Sequence, residues 1–155
     1  MLELRRKVHA VMGLGVVLAV VLPGPDKALP VAMLAVFGSM LPDLDVGFRH
    51  RKLLHNIFAS ILVIPASYLL LARLGAEYGV DVDPVYSMAL GLGWVTHILG
   101  DMLTVGGVWL FWPVSGKAYR FTGMRYDDPR VSFIGYSIGL AAALYWYYTV
   151  FIAQM

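Results

Sequence analysis

Five long apolar runs, separated by shorter stretches that carry most of the charged residues, dominate the hydropathy pattern of the chain. They lie at about 8–22, 28–41, 53–72, 84–103 and 131–153. A helix of about 20 apolar residues crosses the hydrocarbon core of a bilayer, which is about 30 Å thick. The first two runs are shorter than this and need flanking residues or thinner lipid. The pattern predicts an all-α integral membrane bundle of about five transmembrane helices.

The first apolar run follows basic residues, which is also how a signal peptide begins. No small-x-small cleavage site follows Leu22, and Pro23-Gly24-Pro25-Asp26 is typical of a turn between two spans. The sequence has no internal repeat, low-complexity tract or linker. We therefore expect residues 1–155 to form a single transmembrane domain.

The composition agrees with a membrane protein. Hydrophobic residues make up 59% of the 155 residues and charged residues 14%, against about 45–50% and about 25% in soluble domains. A disordered chain is excluded because disorder needs low hydrophobicity and high charge. The absence of cysteine excludes disulfide scaffolds and thiolate metal sites. A net charge of +2 is no signature of nucleic-acid binding, so the expected partner is the lipid bilayer.

The basic residues predict the orientation in the membrane. If the N-terminus is cytoplasmic and all five runs cross, ten of the twelve Lys and Arg residues are cytoplasmic: Arg5, Arg6, Lys7, Arg49, Arg51, Lys52, Lys117, Arg120, Arg125 and Arg130. Lys27 and Arg73 lie outside. The positive-inside rule expects such a division, which indicates a multi-pass protein of the cell (inner) membrane.

The same topology brings all four histidines and three carboxylates to the cytoplasmic end, although only Lys and Arg were used to derive it. They are His9, Asp43, Asp45, His50, His55, His97 and Asp101. Imidazole and carboxylate together suit Zn²⁺, Mn²⁺ or Fe²⁺. The set exceeds the three protein ligands of a typical catalytic zinc. It suits two metals about 3.5–4 Å apart that activate water and clamp a phosphoryl group.

Each part of this set also has a simpler interpretation. His97 and Asp101 are four residues apart on one helix face and can form an internal hydrogen bond. Asp43 and Asp45, which follow Pro42, can be a helix stop with Asx turns.

The histidines outside this helix are equally open to other interpretations. His50, Arg51 and His55 can form a basic loop that binds anionic lipid. His9 beside the basic N-terminus can be a membrane-surface residue.

The motifs resemble those of one family. They are His9 with Gly13, Leu41-Pro42-Asp43-Leu44-Asp45, His50-Arg51 with His55, and His97-Ile98-Leu99-Gly100-Asp101-Met102-Leu103-Thr104. Over about residues 9–113 they resemble the YdjM (YbcI-like) family of membrane-bound metal-dependent hydrolases. Arg49 and Val105 stand where glycine and proline are common in that family, yet neither change removes a metal ligand.

The order of these residues is also similar, more distantly, to zinc-dependent phospholipase C and related nucleases. This second resemblance implies core metal ligands at His9, Asp43, His55, His97 and Asp101. It implies that Asp45 and His50 are further ligands or orient the ligands. The implied reaction is phosphoester hydrolysis, by analogy of fold alone.

We therefore expect a membrane-embedded, zinc-type hydrolase with two divalent metals, zinc being favoured over Mn or Fe. Its expected substrate is a lipid-like phosphoester at the cytoplasmic interface. Asp45 is the candidate general base and Arg51 the candidate phosphate clamp. Arg120 and Arg125 are further candidates for binding phosphate.

Other functions stay open at this point. Buried His and Asp in spans also mark ion pathways, which would make the protein a metal-ion or proton transporter. The outer half of the spans, however, offers few polar residues beyond serines. Paired histidines can bind haem, and a non-catalytic membrane protein can hold a structural metal. Gly91, Gly93, Gly135 and Gly139 allow close helix approach within one chain or in a homo-oligomer.

Overall fold

The computed structural model describes residues 2–47, 52–153 and 155, with side chains for 6–44, 52–153 and 155. Five α-helices follow one another in this part of the chain: α1 (Leu2–Val21), α2 (Pro25–Gly38), α3 (Ile57–Tyr78), α4 (Val85–Met102) and α5 (Pro129–Tyr147). A 3-10 helix, Leu41–Gly47, follows α2, and a π-helical turn, Tyr148–Ile152, extends α5. Helical structure therefore dominates, as predicted.

The ends of the helices follow from local chemistry. Pro25 begins α2, where its fixed φ suits the first turn. Asn56 caps α3, because its side-chain oxygen accepts a hydrogen bond from the backbone N–H of Ala59. Gly79 ends α3 with a φ of 66°, a conformation that favours glycine.

Helices α2 and α3 differ in extent from the predicted apolar runs. The second apolar run was expected to continue to Leu41, but α2 ends at Gly38 and the 3-10 helix follows. Pro42 explains this, because proline cannot donate the backbone hydrogen bond that would continue an α-helix. The third run was expected at 53–72, but α3 begins at Ile57 and continues to Tyr78. Here the cap at Asn56 and the glycine after Tyr78, rather than the apolar run, set the ends.

Helix α4 lies at the centre and contacts α1, α2 and α3, while α5 packs against α1. The α1–α5 contact is made between backbones: a Cβ on Gly139 would overlap the backbone oxygen of Val11, and a Cβ on Gly15 would overlap Gly139. Gly93 of α4 faces the backbone of Ala35 in α2 in the same way. These glycines therefore serve close packing within one chain.

Large apolar side chains are exposed on the outside of the bundle, while polar side chains such as His55 and His97 are buried inside it together with apolar ones. Among the described residues, the segments Pro25–Leu44 and Ile57–Tyr78 are long and apolar enough to cross a membrane. In α3, Ile61, Leu62 and Leu69 are each at least 60% exposed. An exposed apolar surface of this extent requires a cover, which supports a membrane protein.

Two contacts join helix termini at the end of the bundle opposite to the 3-10 helix. Lys27 near the start of α2 donates to Asp83, just before α4, at 2.6 Å. The indole N–H of Trp146 in α5 donates to the backbone oxygen of Pro23, between α1 and α2, at 3.0 Å. The helix connectivity thus gives the bundle two distinct ends.

The backbone contact at Gly139 generates the first prediction. Gly139→Leu is expected to destabilise the protein by at least about 1–3 kcal/mol, because a larger side chain forces α5 away from α1. The matched control is Ala141→Leu, which adds the same bulk at an exposed position of α5. Thermal unfolding in detergent should show a lower Tm for Gly139→Leu alone. Equal Tm values for the two variants would contradict a backbone contact between α1 and α5.

Candidate metal centre

Five of the seven predicted ligand residues lie together at one end of α4. They are His9 of α1, Asp43 of the 3-10 helix, His55 just before α3, and His97 and Asp101 of α4. They form two overlapping groups, His9–His97–Asp101 and Asp43–His55–His97. Within each group the potential ligand atoms all lie within 4.8 Å of one another. Residues from four separate segments of the chain therefore converge on one point.

The centre is buried. His55 and His97 are 0% exposed, and Asp101 is 4% exposed. A carboxylate at such a position is costly unless it is paired or bound to a cation. Asp101 therefore requires the groups that surround it.

His97 is held in one orientation by the backbone. Its Nδ1 lies 2.7 Å from the carbonyl oxygen of Ser39, which can only accept a hydrogen bond. Nδ1 therefore carries the proton, and in a neutral ring the lone pair is on Nε2. The same orientation is common for metal-binding histidines, whose second nitrogen donates to a carbonyl or carboxylate. Ser39 itself is fully buried at the end of α2.

His55 is positioned by hydrogen bonds on either side of it. The indole N–H of Trp94 in α4 donates to the backbone oxygen of Leu54 at 2.8 Å. The side-chain amide of Asn56 donates to the backbone oxygens of Lys52 and Leu53. These bonds fix the segment before α3 against α4 and place the His55 ring beside His97.

The distances across the centre are short and similar. Nε2 of His55 lies 3.1 Å from Nε2 of His97 and 3.5 Å from Oδ2 of Asp101. Nε2 of His97 lies 3.6 Å from Oδ1 of Asp43, and Nε2 of His9 lies 3.4 Å from Oδ1 of Asp101. The imidazole–carboxylate separations exceed the 2.7–3.2 Å typical of N–H···O hydrogen bonds. A set of direct imidazole–carboxylate hydrogen bonds therefore describes this centre poorly.

Distances of 3.1–3.6 Å fit pairs of ligand atoms that share a metal ion. Ligand atoms about 2.0–2.2 Å from a zinc ion are about 3.0–3.5 Å from each other in tetrahedral or octahedral arrangement. The donor set of imidazole nitrogen and carboxylate oxygen suits zinc, manganese or iron. The ring of His9 stacks on that of His97 at 4.0 Å between centroids, which like-charged imidazolium rings would oppose. Neutral imidazoles and ionised carboxylates are the protonation states that a divalent metal selects.

Three predicted residues remain untested by the geometry. His50 and Arg51 lie outside the described residues, and the side chain of Asp45 is not described either. Of the other basic candidates, Arg120 donates to the backbone oxygen of Val105 and Arg125 pairs with Asp127. Neither contact joins these arginines to the His/Asp centre.

The residues that support the candidate ligands are not among those predicted from the sequence. The role of the Ser39 carbonyl has no signature in the sequence. Every residue has a backbone oxygen, and this one orients His97 only because the tertiary structure brings the two together. Trp94 was likewise not distinguishable from other membrane tryptophans. Asn56 was detectable, since an Asn directly before an apolar helical run is a typical N-cap.

Comparison with known proteins identifies the family of the chain. A family model described as YdjM inner membrane protein matches residues 5–155. Similar curated relatives are the inner membrane protein YdjM of Escherichia coli (strain K12) and that of Shigella flexneri. Each is 35% identical over 66 residues, which cover 43% of this chain and 31% of the relative's length. No solved structure matches the chain.

The matched segment thus spans about a third of the curated relatives, whereas the family model covers nearly all of this chain. The resemblance seen in the motifs is confirmed: the chain belongs to the YdjM family of inner membrane proteins.

Proposed function

We propose that this protein is a metal-dependent hydrolase of lipid-like phosphoesters, with its site at the cytoplasmic end of a five-span bundle. One observation carries the proposal. Three buried imidazoles and two carboxylates converge with separations of 3.1–3.9 Å, and His97 presents an unprotonated nitrogen to that centre because of its bond to Ser39.

The proposed topology is supported by where the helix ends meet. The Lys27–Asp83 and Trp146–Pro23 contacts lie at one end of the bundle, and the His/Asp centre at the other. Ten of the twelve basic residues are in the segments that would face the same side as the centre. The positive-inside rule assigns that side to the cytoplasm. Helix α4 carries His97 and Asp101, and its contacts with α1, α2 and α3 shield these side chains from lipid.

We infer two metal positions that lie next to each other. Asp43, His55 and His97 would hold one ion, because their potential ligand atoms lie within 4.8 Å of one another. His9 and Asp101, whose Nε2 and Oδ1 atoms lie 3.4 Å apart, would hold part of the second. Bound cations would offset the burial of Asp101, and Asp45 and His50 are the proposed ligands that complete the set.

Two divalent cations in this place would supply a water of lowered pKa and a clamp for phosphoryl oxygens. In the proposed hydrolysis the oxygen of water bonds to phosphorus, the bond from phosphorus to the lipid alcohol oxygen breaks, and a proton passes to that alcohol. The buried His and Asp side chains hold the reacting groups away from bulk water. Asp45 is the proposed base for the water proton, and Arg51 the proposed ligand of a phosphate oxygen.

Metal content gives the second prediction. Elemental analysis of the purified protein is expected to find about two zinc or manganese ions per chain. Asp101→Asn should lose both, because Asp101 would hold one ion and its Oδ2 lies 3.5 Å from His55 and 3.9 Å from His97, which would hold the other, whereas His9→Ala should lose one. The control Asp127→Asn changes an exposed carboxylate that pairs with Arg125 and should keep both ions. Folded Asp101→Asn protein with full metal content would refute the site.

Hydrolysis gives the third prediction. Zinc-loaded protein in mixed micelles should convert dioleoyl phosphatidic acid to inorganic phosphate and dioleoylglycerol, detected by phosphate assay and mass spectrometry. His97→Ala should lower the rate at least tenfold, the size of loss expected when a metal site is disturbed. Fully loaded protein that leaves this and other phospholipids intact, yet moves zinc into proteoliposomes, would make transport the function instead.

Topology gives the fourth prediction. The chain has no cysteine, so single cysteines report their own position without background. A membrane-impermeant maleimide should label Asp81→Cys in intact cells and Gly116→Cys only after permeabilisation, because the five-span topology puts these exposed residues on opposite sides. Labelling of both in intact cells would contradict that topology.

A further inference from the structure

An apolar groove runs along α2 towards the metal centre. It has a volume of about 560 Å³ and is lined by Leu14 of α1 and by α2 residues that include Met33 and Phe37, with Met40 at its end. Met33 is 64% exposed and Phe37 56% exposed. The volume is in the range of about 300–1,000 Å³ that is usual for ligand sites. Since this helix belongs to a segment able to cross a membrane, the groove opens towards lipid.

A second cavity continues the groove. It has a volume of about 250 Å³ and shares Phe37 and Met40 with the first. Its other lining residues include Arg6 of α1 and Asp43 of the 3-10 helix. The two cavities therefore form one path, which is apolar along α2 and charged at Asp43.

Among the described residues of the centre, Asp43 has the most exposed side chain. Its side chain is 20% exposed, whereas those of His9, Asp101 and His97 are 8% or less exposed. A small cavity of about 20 Å³ also borders His9 and Asp101, whereas the cavity at Asp43 has about 250 Å³. Among these two, the one at Asp43 has room for a molecule larger than water. The path along α2 ends at this residue.

The two ends of the path demand different chemistry. The α2 end offers apolar contact alone, and the other end offers the guanidinium of Arg6 beside the His/Asp centre. Guanidinium groups bind phosphate oxygens by charge-assisted hydrogen bonds. One amphiphile with a long hydrocarbon chain and a phosphate headgroup satisfies both ends at once.

We propose that this path, from Met33 to Asp43, is the binding groove for a phosphate-bearing lipid. The hydrocarbon chain lies against Met33 and Phe37, and Arg6 holds the phosphate next to Asp43. The inference rests on the proposed function, and it names the route and the residues by which a substrate enters from the membrane. Arg6 is a binding residue here, and it is additional to Arg51.

Site-specific quenching tests the groove without relying on activity. Because the chain has no cysteine, Met33→Cys can carry a bimane fluorophore in the groove, and Leu69→Cys, 68% exposed on α3, is the matched lipid-facing control. The protein is placed in phosphatidylcholine nanodiscs with a low fraction of brominated phosphatidic acid or brominated phosphatidylcholine. Zinc content is measured on the same samples.

At Met33, half-maximal quenching is expected at an about fivefold lower mole fraction of brominated phosphatidic acid than of brominated phosphatidylcholine, the preference a charge-assisted contact provides. At Leu69 the two lipids should quench equally. Adding Arg6→Gln to the Met33 sample should remove the preference and leave the zinc content unchanged.

Three results would overturn the inference. Equal quenching by the two lipids at Met33, with zinc retained, would contradict lipid binding in the groove but not the metal site. A preference at both Met33 and Leu69 shows general attraction of anionic lipid to a basic protein. A preference for phosphatidic acid that persists in the Arg6→Gln variant would contradict the assigned contact between Arg6 and the phosphate. Absence of bound zinc is a separate result and refutes the proposed function itself.

Discussion

The free-energy cost of holding the Asp101 carboxylate inside an apolar bundle governs the structure around it. At 4% exposure it has too little contact with water to be solvated, so it needs cationic or hydrogen-bonding partners. His97 lies one turn before Asp101 in α4. His9 comes from α1, and His55 comes from the segment before α3. The close approach of backbones at glycine positions is what allows helices from distant parts of the sequence to meet at one carboxylate.

The bond between His97 and the Ser39 carbonyl couples this centre to the fold. It joins α4 to the end of α2 at a point where the chain leaves the α-helix for the 3-10 helix that carries Asp43. A shift of α2 would move both the group that orients His97 and one of its neighbouring carboxylates. Since metal binding to such a site contributes to the stability of the folded state, the geometry of α2 and the occupancy of the centre should depend on each other.

The candidate metal-binding residues can be identified from the sequence, but the groups that orient them cannot. The spacing of His97 and Asp101 defines a helix face, and the charge distribution places Asp43 at the same end of the bundle. These inferences use local periodicity and a topology rule, both of which a single sequence contains. The role of Ser39 depends on a backbone oxygen meeting a ring from another helix. The end of α2 before Pro42 and the start of α3 after Asn56 are different, because a helix breaker and a cap can be read from the sequence although hydropathy averages conceal them.

The same residues explain why α4 lies inside the bundle. A helix that carries His97 and Asp101 can lie in a membrane only where neighbouring helices cover these side chains. Helix α4 contacts three others, whereas α3 is strongly apolar and largely exposed. Burial of α4 in turn restricts access to its candidate ligands. Asp43, carried on the short helix at the rim instead of on α4, keeps one side of the centre open without exposing the carboxylate of Asp101 to lipid.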